Sequence, residues 1–137
     1  MLILVGRAGR KKIHARIQGG LGNQLFIWAA GFALAARIDG VLTLDDALIP
    51  KLNRNRRLDR RKFELDYFSF AKRGRVAELV GASLQRLLPD AIFNESGHGY
   101  DARIESLSSG CFLRGYFQSW KYFWPYESEI RANLRSN

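Results

Sequence analysis

The sequence predicts an α/β domain built on a parallel sheet flanked by helices, and three observations predict it. Ile13, Ala15 and Ile17 alternate with His14, Arg16 and Gln18, the period-2 pattern of a strand with one polar face. A glycine-rich break, Gly19-Gly-Leu-Gly22, comes next, and the residues after it keep a helical stripe. A second short apolar run, Val41-Leu-Thr-Leu44, then follows the Asp39-Gly40 break. Strand, glycine turn, helix and strand make a β-α-β unit. Its two strands are expected to pair in parallel through a right-handed crossover.

The first strand is expected over 12–18. Asn23 is read as the N-cap of the helix, whose stripe is Leu25, Phe26, Ala29, Ala30, Ala33 and Leu34. The second strand ends in two carboxylates, Asp45 and Asp46. Residues 50–62 open on a proline, are basic and lack apolar residues, so they read as a loop. Residues 63–70 alternate and read as a short strand. Residues 75–88 carry Val76, Leu79, Val80, Leu84, Leu87 and Leu88 at helical spacing, with Pro89 as the stop. Turn residues crowd 94–101, another strand falls within 109–117 around Cys111-Phe-Leu-Arg114, and 119–135 reads as helical. No internal repeat and no low-complexity tract interrupts this alternation of strands and helices.

At 137 residues and 47% hydrophobic, the chain is one domain with ample material for a core. Its 12% aromatic content and single cysteine exclude disorder and a disulfide scaffold. Cys111 lies in an apolar stretch and reads as a buried, inert thiol. No uninterrupted apolar run reaches the roughly 18 residues of a membrane span, so a cytoplasmic location is expected.

The net charge of +9 is unevenly placed. Residues 1–62 hold 13 Lys/Arg against 4 Asp/Glu, whereas residues 63–137 hold 9 of each. The excess gathers in Arg7, Arg10, Lys11, Lys12 and Arg16, and again in Lys51, Arg54, Arg56, Arg57, Arg60, Arg61 and Lys62. Such a patch attracts polyanions, and residues 51–62 are the candidate for peripheral contact with an anionic membrane, at its inner face in a bacterium. No zinc-finger, recognition-helix or aromatic RNA-binding signature accompanies it, so no specific nucleic-acid partner is expected.

The glycine turn is the sharpest local feature. Gly20-Leu-Gly22 resembles the first half of a dinucleotide fingerprint, but Leu25 stands where the third glycine belongs. A turn that faces a ligand and a turn that is merely tight both fit the spacing. Asp45 stands just after a strand, at the edge where α/β proteins place ligands, and is the one weak candidate for a catalytic group; a loop start or cap explains it as well. His14 and His98 lack partners at metal spacing, and no metal site is proposed. No Gly-x-Ser-x-Gly elbow or Walker loop occurs. The aromatic cluster Tyr116, Phe117, Trp120, Tyr122, Phe123, Trp124 and Tyr126 fits core packing, and it also fits a sugar-stacking surface.

Taken together, the segments resemble a known family. Ile17-Gln-Gly-Gly-Leu-Gly-Asn-Gln-Leu-Phe26 with Ala29-Ala-Gly-Phe-Ala-Leu-Ala35 resembles the opening of the bacterial and animal α-1,2-fucosyltransferases, glycosyltransferase family 11. Leu42-Thr-Leu-Asp45, Arg61-Lys-Phe-Glu-Leu-Asp-Tyr-Phe68, Phe93-Asn-Glu95 and Leu113-Arg-Gly-Tyr-Phe-Gln-Ser-Trp-Lys-Tyr-Phe123 follow in the family's order, before Ile130-Arg131. Residues 1–11 form a basic extension outside the match, and 12–137 correspond to the family's N-terminal domain. The resemblance implies the Rossmann-like, acceptor-side half of a GT-B glycosyltransferase. It implies transfer of L-fucose from GDP-fucose to the 2-hydroxyl of a terminal galactose on a glycan acceptor, with inversion and without a metal or other cofactor. By the same resemblance Gly20, Gly22, Asn23 and Gln24 lie on the donor side of the cleft, and Gly115, Tyr116, Gln118 and Ser119 border it.

Family members carry a strand ending in His-x-Arg-Arg-Gly-Asp beyond the region matched here. The expectation is therefore a chain that lacks the donor-binding half and is inactive alone. The alternative is a non-catalytic α/β module that binds a glycan or a nucleotide; a third reading is a basic polyanion-binding domain. An apolar face where the second half should dock favours the first, and a polar face the second.

Overall fold

A computed structural model describes residues 11–55, 60–68 and 92–135. Four strands among them form one all-parallel sheet: β1 (Lys11–Arg16), β2 (Gly40–Asp45), β3 (Ile92–Asn94) and β4 (Cys111–Arg114), in the order β2-β1-β4-β3. Three helices accompany them: α1 (Leu21–Ile38), the short α2 (Leu48–Leu52) and α3 (Glu127–Arg135). The architecture is α/β with a parallel sheet and flanking helices, compatible with a Rossmann-like fold.

Alternation on β1 sorts its residues as the period-2 reading requires. Ile13, Ala15 and Ile17 are fully buried, and His14, Arg16 and Gln18 are half-buried on the opposite face. The register extends that sorting across the sheet: Ala15 lies opposite Leu44 and Leu113, and Leu113 opposite Phe93. Those residues are the floor on which α1 lies. Full burial of a side chain such as Ile13 or Leu113 stabilises the fold by about 1.5–3 kcal/mol.

Ala29, Ala30, Gly31 and Ala33 line the buried side of α1 and let it approach closely; a methyl group added at Gly31 would stand 2.7 Å from Leu42 Cδ1. The helix ends at Asp39, which takes the left-handed conformation and donates its N–H to Ala35 O. Arg37 in the last turn ties that end to the 104–107 segment, with Nη2 donating to Ile104 O at 3.0 Å and Leu107 O at 2.9 Å.

Several expectations need correction. The helix starts two residues before Asn23: its N-cap is Gly20, in extended backbone with no side-chain cap. The glycines make the difference, since an extended Gly can enter the helix directly and leaves Asn23 in the first turn. Residues 50–62 are not all loop, because α2 and a 3₁₀ turn at Asn53–Asn55 occupy their first half. Among residues 63–68 there is no strand; Leu65–Tyr67 is a 3₁₀ turn that buries Phe63 and Leu65 against the core. The C-terminal stretch is helical in three pieces, two 3₁₀ turns (Trp120–Tyr122 and Trp124–Tyr126) and then α3, with Pro125 inside the second turn. The helix expected over 75–88 lies outside the described residues, as do 1–10. α1 is also long and apolar enough to cross a membrane by length and composition, although Gly22, Asn23 and Gln24 interrupt the apolar run at its start. Its apolar side packs on the sheet.

Candidate functional site: the carboxyl edge between β1 and β4

All four strands point the same way, so their carboxyl ends share one edge. β1 and β4 are the two central strands of the sheet, and open α/β sheets gather ligands beyond the carboxyl ends of their strands. Two glycine turns leave that edge side by side, one after β1 and one after β4.

In the first turn Gly19 has φ +79°, and a Cβ there would stand 2.5 Å from Asn23 Nδ2; only glycine fits. The first turn of α1 holds no acidic residue, and its N-terminal amides favour an anion. Gln24 fixes the turn from beneath. It is fully buried, its Nε2 donates to Gly19 O at 2.9 Å and Lys62 O at 2.7 Å, and its Oε1 accepts from Glu64 N at 2.9 Å. The amide side chain is thus committed to backbone, and it positions the turn rather than lining its surface.

The second turn is held in the same manner by a carboxylate. Gly115 has φ +156°, with the site of a Cβ 2.5 Å from Glu95 Cβ, and Phe117 has φ +51° with its ring fully buried. Glu95 Oε1 accepts from Tyr116 N at 3.2 Å and Phe117 N at 3.1 Å, and its Oε2 accepts from Tyr122 Oη at 2.6 Å. Burial first, and then this bond to Glu95, push the Tyr122 hydroxyl above its ordinary range. Tyr122 Oη in turn accepts from Asp101 N at 2.8 Å.

The two turns touch. Gln118 Nε2 donates to Asn23 Oδ1 across 95 positions of sequence, and Gln18 Nε2 donates to Gly115 O at 3.4 Å. Gly20, Gly22, Asn23, Gly115, Tyr116 and Gln118 therefore meet at one place, and the surroundings of Gly22 are open. Ser119 accepts from Lys121 N at 3.3 Å and caps a 3₁₀ turn. Asp45 is the last residue of β2 and shapes the turn after it: its Oδ1 accepts from Ala47 N at 2.9 Å.

The aromatic cluster divides. Phe117 and Tyr122 are core, packed edge to face at 5.1 Å, whereas Tyr116, Trp120 and Trp124 are exposed. The basic segment also divides. Arg56 and Arg57 lie outside the described residues. Arg60, Arg61 and Lys62 line a cavity of about 380 Å³ with Asp46, Asn53 and Phe63, and Arg61 Nη1 reaches to within 3.2 Å of where a Gly20 Cβ would be.

His14 stacks on Phe112 at 4.8 Å, and burial lowers its pKa from the usual value. Cys111 is buried, and burial pushes its thiol up to about 11. Among the described residues no group of three or more His, Cys, Asp or Glu could hold a metal ion.

Sequence reasoning did not single out Glu95 as the clamp of the second turn or Arg16 and Arg114 as neighbours. Strand register puts them there, and one sequence carries no signal of register between strands so far apart. The fold and this edge define the class: an α/β protein with a parallel sheet whose carboxyl edge carries two glycine turns side by side. No family model matches the chain, and no curated protein and no solved structure matches it.

Proposed function

We propose that this chain is the acceptor-side, Rossmann-like half of a GT-B sugar transferase of the α-1,2-fucosyltransferase kind, with the edge between β1 and β4 as its side of the cleft. The observation that carries the reading is the Gln118–Asn23 hydrogen bond. It joins the two blocks with the strongest family resemblance, at the edge where this class of sheet binds ligands. In the whole enzyme L-fucose would pass from GDP-fucose to the 2-hydroxyl of a terminal galactose with inversion. This half would orient the acceptor, and a donor-binding half would stabilise the departing GDP without a metal. Gly20, Gly22 and Asn23 would border the donor, with Gly115, Tyr116, Gln118 and Ser119 next to them. Gln24 would serve by holding the turn.

A second reading, a glycan-binding module without catalysis, has its own support. Asn23 and Gln118 meet at the edge, and the rings of Tyr116 and Trp120, two residues to either side of Gln118 in sequence, are exposed, as a surface that stacks on sugar rings requires.

Amide chemical-shift mapping with a β-galactoside and, separately, GDP-fucose tests both. Shifts at Asn23, Tyr116, Gln118 and Ser119 with either ligand are expected. The transferase reading requires, in addition, that GDP-fucose be turned over when a donor-binding half of the family is supplied. Galactoside shifts without turnover support the module, and no shift at the edge with either ligand refutes both.

A further inference from the structure

We infer that Arg16 and Arg114 form a binding site for a phosphate-type oxyanion at the carboxyl edge, on the sheet face opposite α1. The register establishes the pairing. Ala15 lies opposite Leu113, so the next residues, Arg16 and Arg114, are neighbours across the central strand pair. Alternation puts both on the face where His14 stacks on Phe112. The same row continues to Asp45 on one side, opposite Arg16, and to Asn94 on the other, opposite Arg114.

Like charges directly opposite each other across strands are unfavourable, and here both residues are also half-buried. Arg16 is accordingly less basic than usual, by burial first and Arg114 second, with Asp45 acting in the opposite sense. Asp45 offsets one positive charge of the two, and one of its oxygens already accepts from Ala47 N. The ion pairs Arg103–Asp101 and Arg131–Glu127 involve neither arginine. Two half-buried arginines on neighbouring strands, with a surplus positive charge between them, can offer their guanidiniums to two oxygens of one phosphate. Asn94 is exposed beside Arg114 and supplies an amide donor to the same row. The inference stands on this row alone, so it holds whether or not the chain serves a sugar transferase.

Inorganic pyrophosphate at constant ionic strength is the probe, read by calorimetry and by Arg Nε and backbone amide shifts. Wild-type protein is expected to bind it with shifts centred on Arg16, Asn94 and Arg114. Arg114→Gln should weaken binding tenfold or more, since it removes charge-assisted hydrogen bonds, and Arg114→Lys should recover part of it. Arg60→Gln and Lys62→Gln, in the basic segment, should change it less than twofold. Shifts centred on 51–62, or an Arg114→Gln protein that binds as well as wild type, would overturn the assignment. Phosphatidylglycerol vesicles distinguish a lipid headgroup from a free phosphate. Binding to vesicles but not to pyrophosphate would also overturn it. The shift map of the wild-type protein decides the matter even if the arginine variants fold poorly.

Discussion

Replacing Gln24 by Ala tests whether this residue belongs to the scaffold or to the ligand surface. The side chain makes three hydrogen bonds, all to backbone and all at 2.9 Å or shorter. Truncation leaves Gly19 O, Lys62 O and Glu64 N without it in an enclosed place. A buried hydrogen bond contributes about 1 kcal/mol net, and stranding its partner costs up to about 3 kcal/mol. Partial rescue by entering water keeps the sum near the low end, at about 3 kcal/mol of lost stability. For a domain of this size that is a fall in Tm of about 10 °C. Urea denaturation followed by circular dichroism measures the free energy, and a thermal melt measures Tm. Gln24→Glu is the companion variant: it keeps an acceptor for Glu64 N but turns both donated bonds into oxygen–oxygen contacts, so it should lose at least as much. A loss below about 0.5 kcal/mol in Gln24→Ala would refute the clamp. Gln24 would then be free to act at the surface of the turn.

Gly115→Ala should cost about 2 kcal/mol or more, because the residue has φ +156° and the added methyl would stand 2.5 Å from Glu95 Cβ; a melt within 2 °C of wild type would contradict the close approach. Asp101 accepts from Arg103 Nε and Nη2 and from Ser96 N and Oγ, and the Arg103 bond above all holds its carboxyl well below the usual range. A depressed carboxylate contributes stability above its unfolded pKa and loses it as pH falls through the folded value. Wild type should therefore weaken below about pH 4, and Asp101→Asn, less stable at neutral pH, should show a flatter acid limb; parallel acid limbs in urea titrations would refute the assignment. Cys111, buried with its thiol raised to about 11, should react with a thiol reagent at pH 8 only as fast as the fold opens. Labelling that is fast without denaturant would contradict its enclosure.

The first β-α-β unit was legible because its signals are local. Ile13, Ala15 and Ile17 alternate within six residues, and the glycines of 19–22 stand next to the helix they start. The structure departs from the local pattern where tertiary contacts override it. Residues 63–68 alternate like a strand, yet Gln24 takes the backbone of Lys62 and Glu64 as its partners, and that backbone has no sheet ladder. Asn23 has the chemistry of a cap, but Gly20 can enter the helix without one. Of the candidate site, the two turns could be read as motifs, whereas their contact could not. Asn23 and Gln118 meet only because β1 and β4 are adjacent in the sheet, and strand order is not written in the spacing of either segment. The pairing of Arg16 with Arg114 is invisible for the same reason.

The means of holding each turn bears on what the edge can do. Each turn is held by one buried or half-buried side chain that bridges segments distant in sequence. Gln24 holds the first turn to the 62–64 segment, and Glu95 holds the second to Tyr122. Positive-φ backbone at Gly19, Gly115 and Phe117 is tolerated because these clamps over-determine it. Both clamps sit below the turns, which leaves the upper groups (the α1 amides, Asn23, Gln118, Tyr116) at the surface in fixed positions. A ligand that bound such an edge would find it already ordered, at little cost in conformational entropy. Loosening either clamp should therefore weaken binding at groups the clamp does not touch. Glu95→Gln preserves the shape while one of its two oxygens becomes a donor, and it should lower affinity at the edge with the shift pattern unchanged. A Glu95→Gln protein that binds as tightly as wild type would mean that the order of the second turn comes from the packed ring of Phe117 and not from the carboxylate.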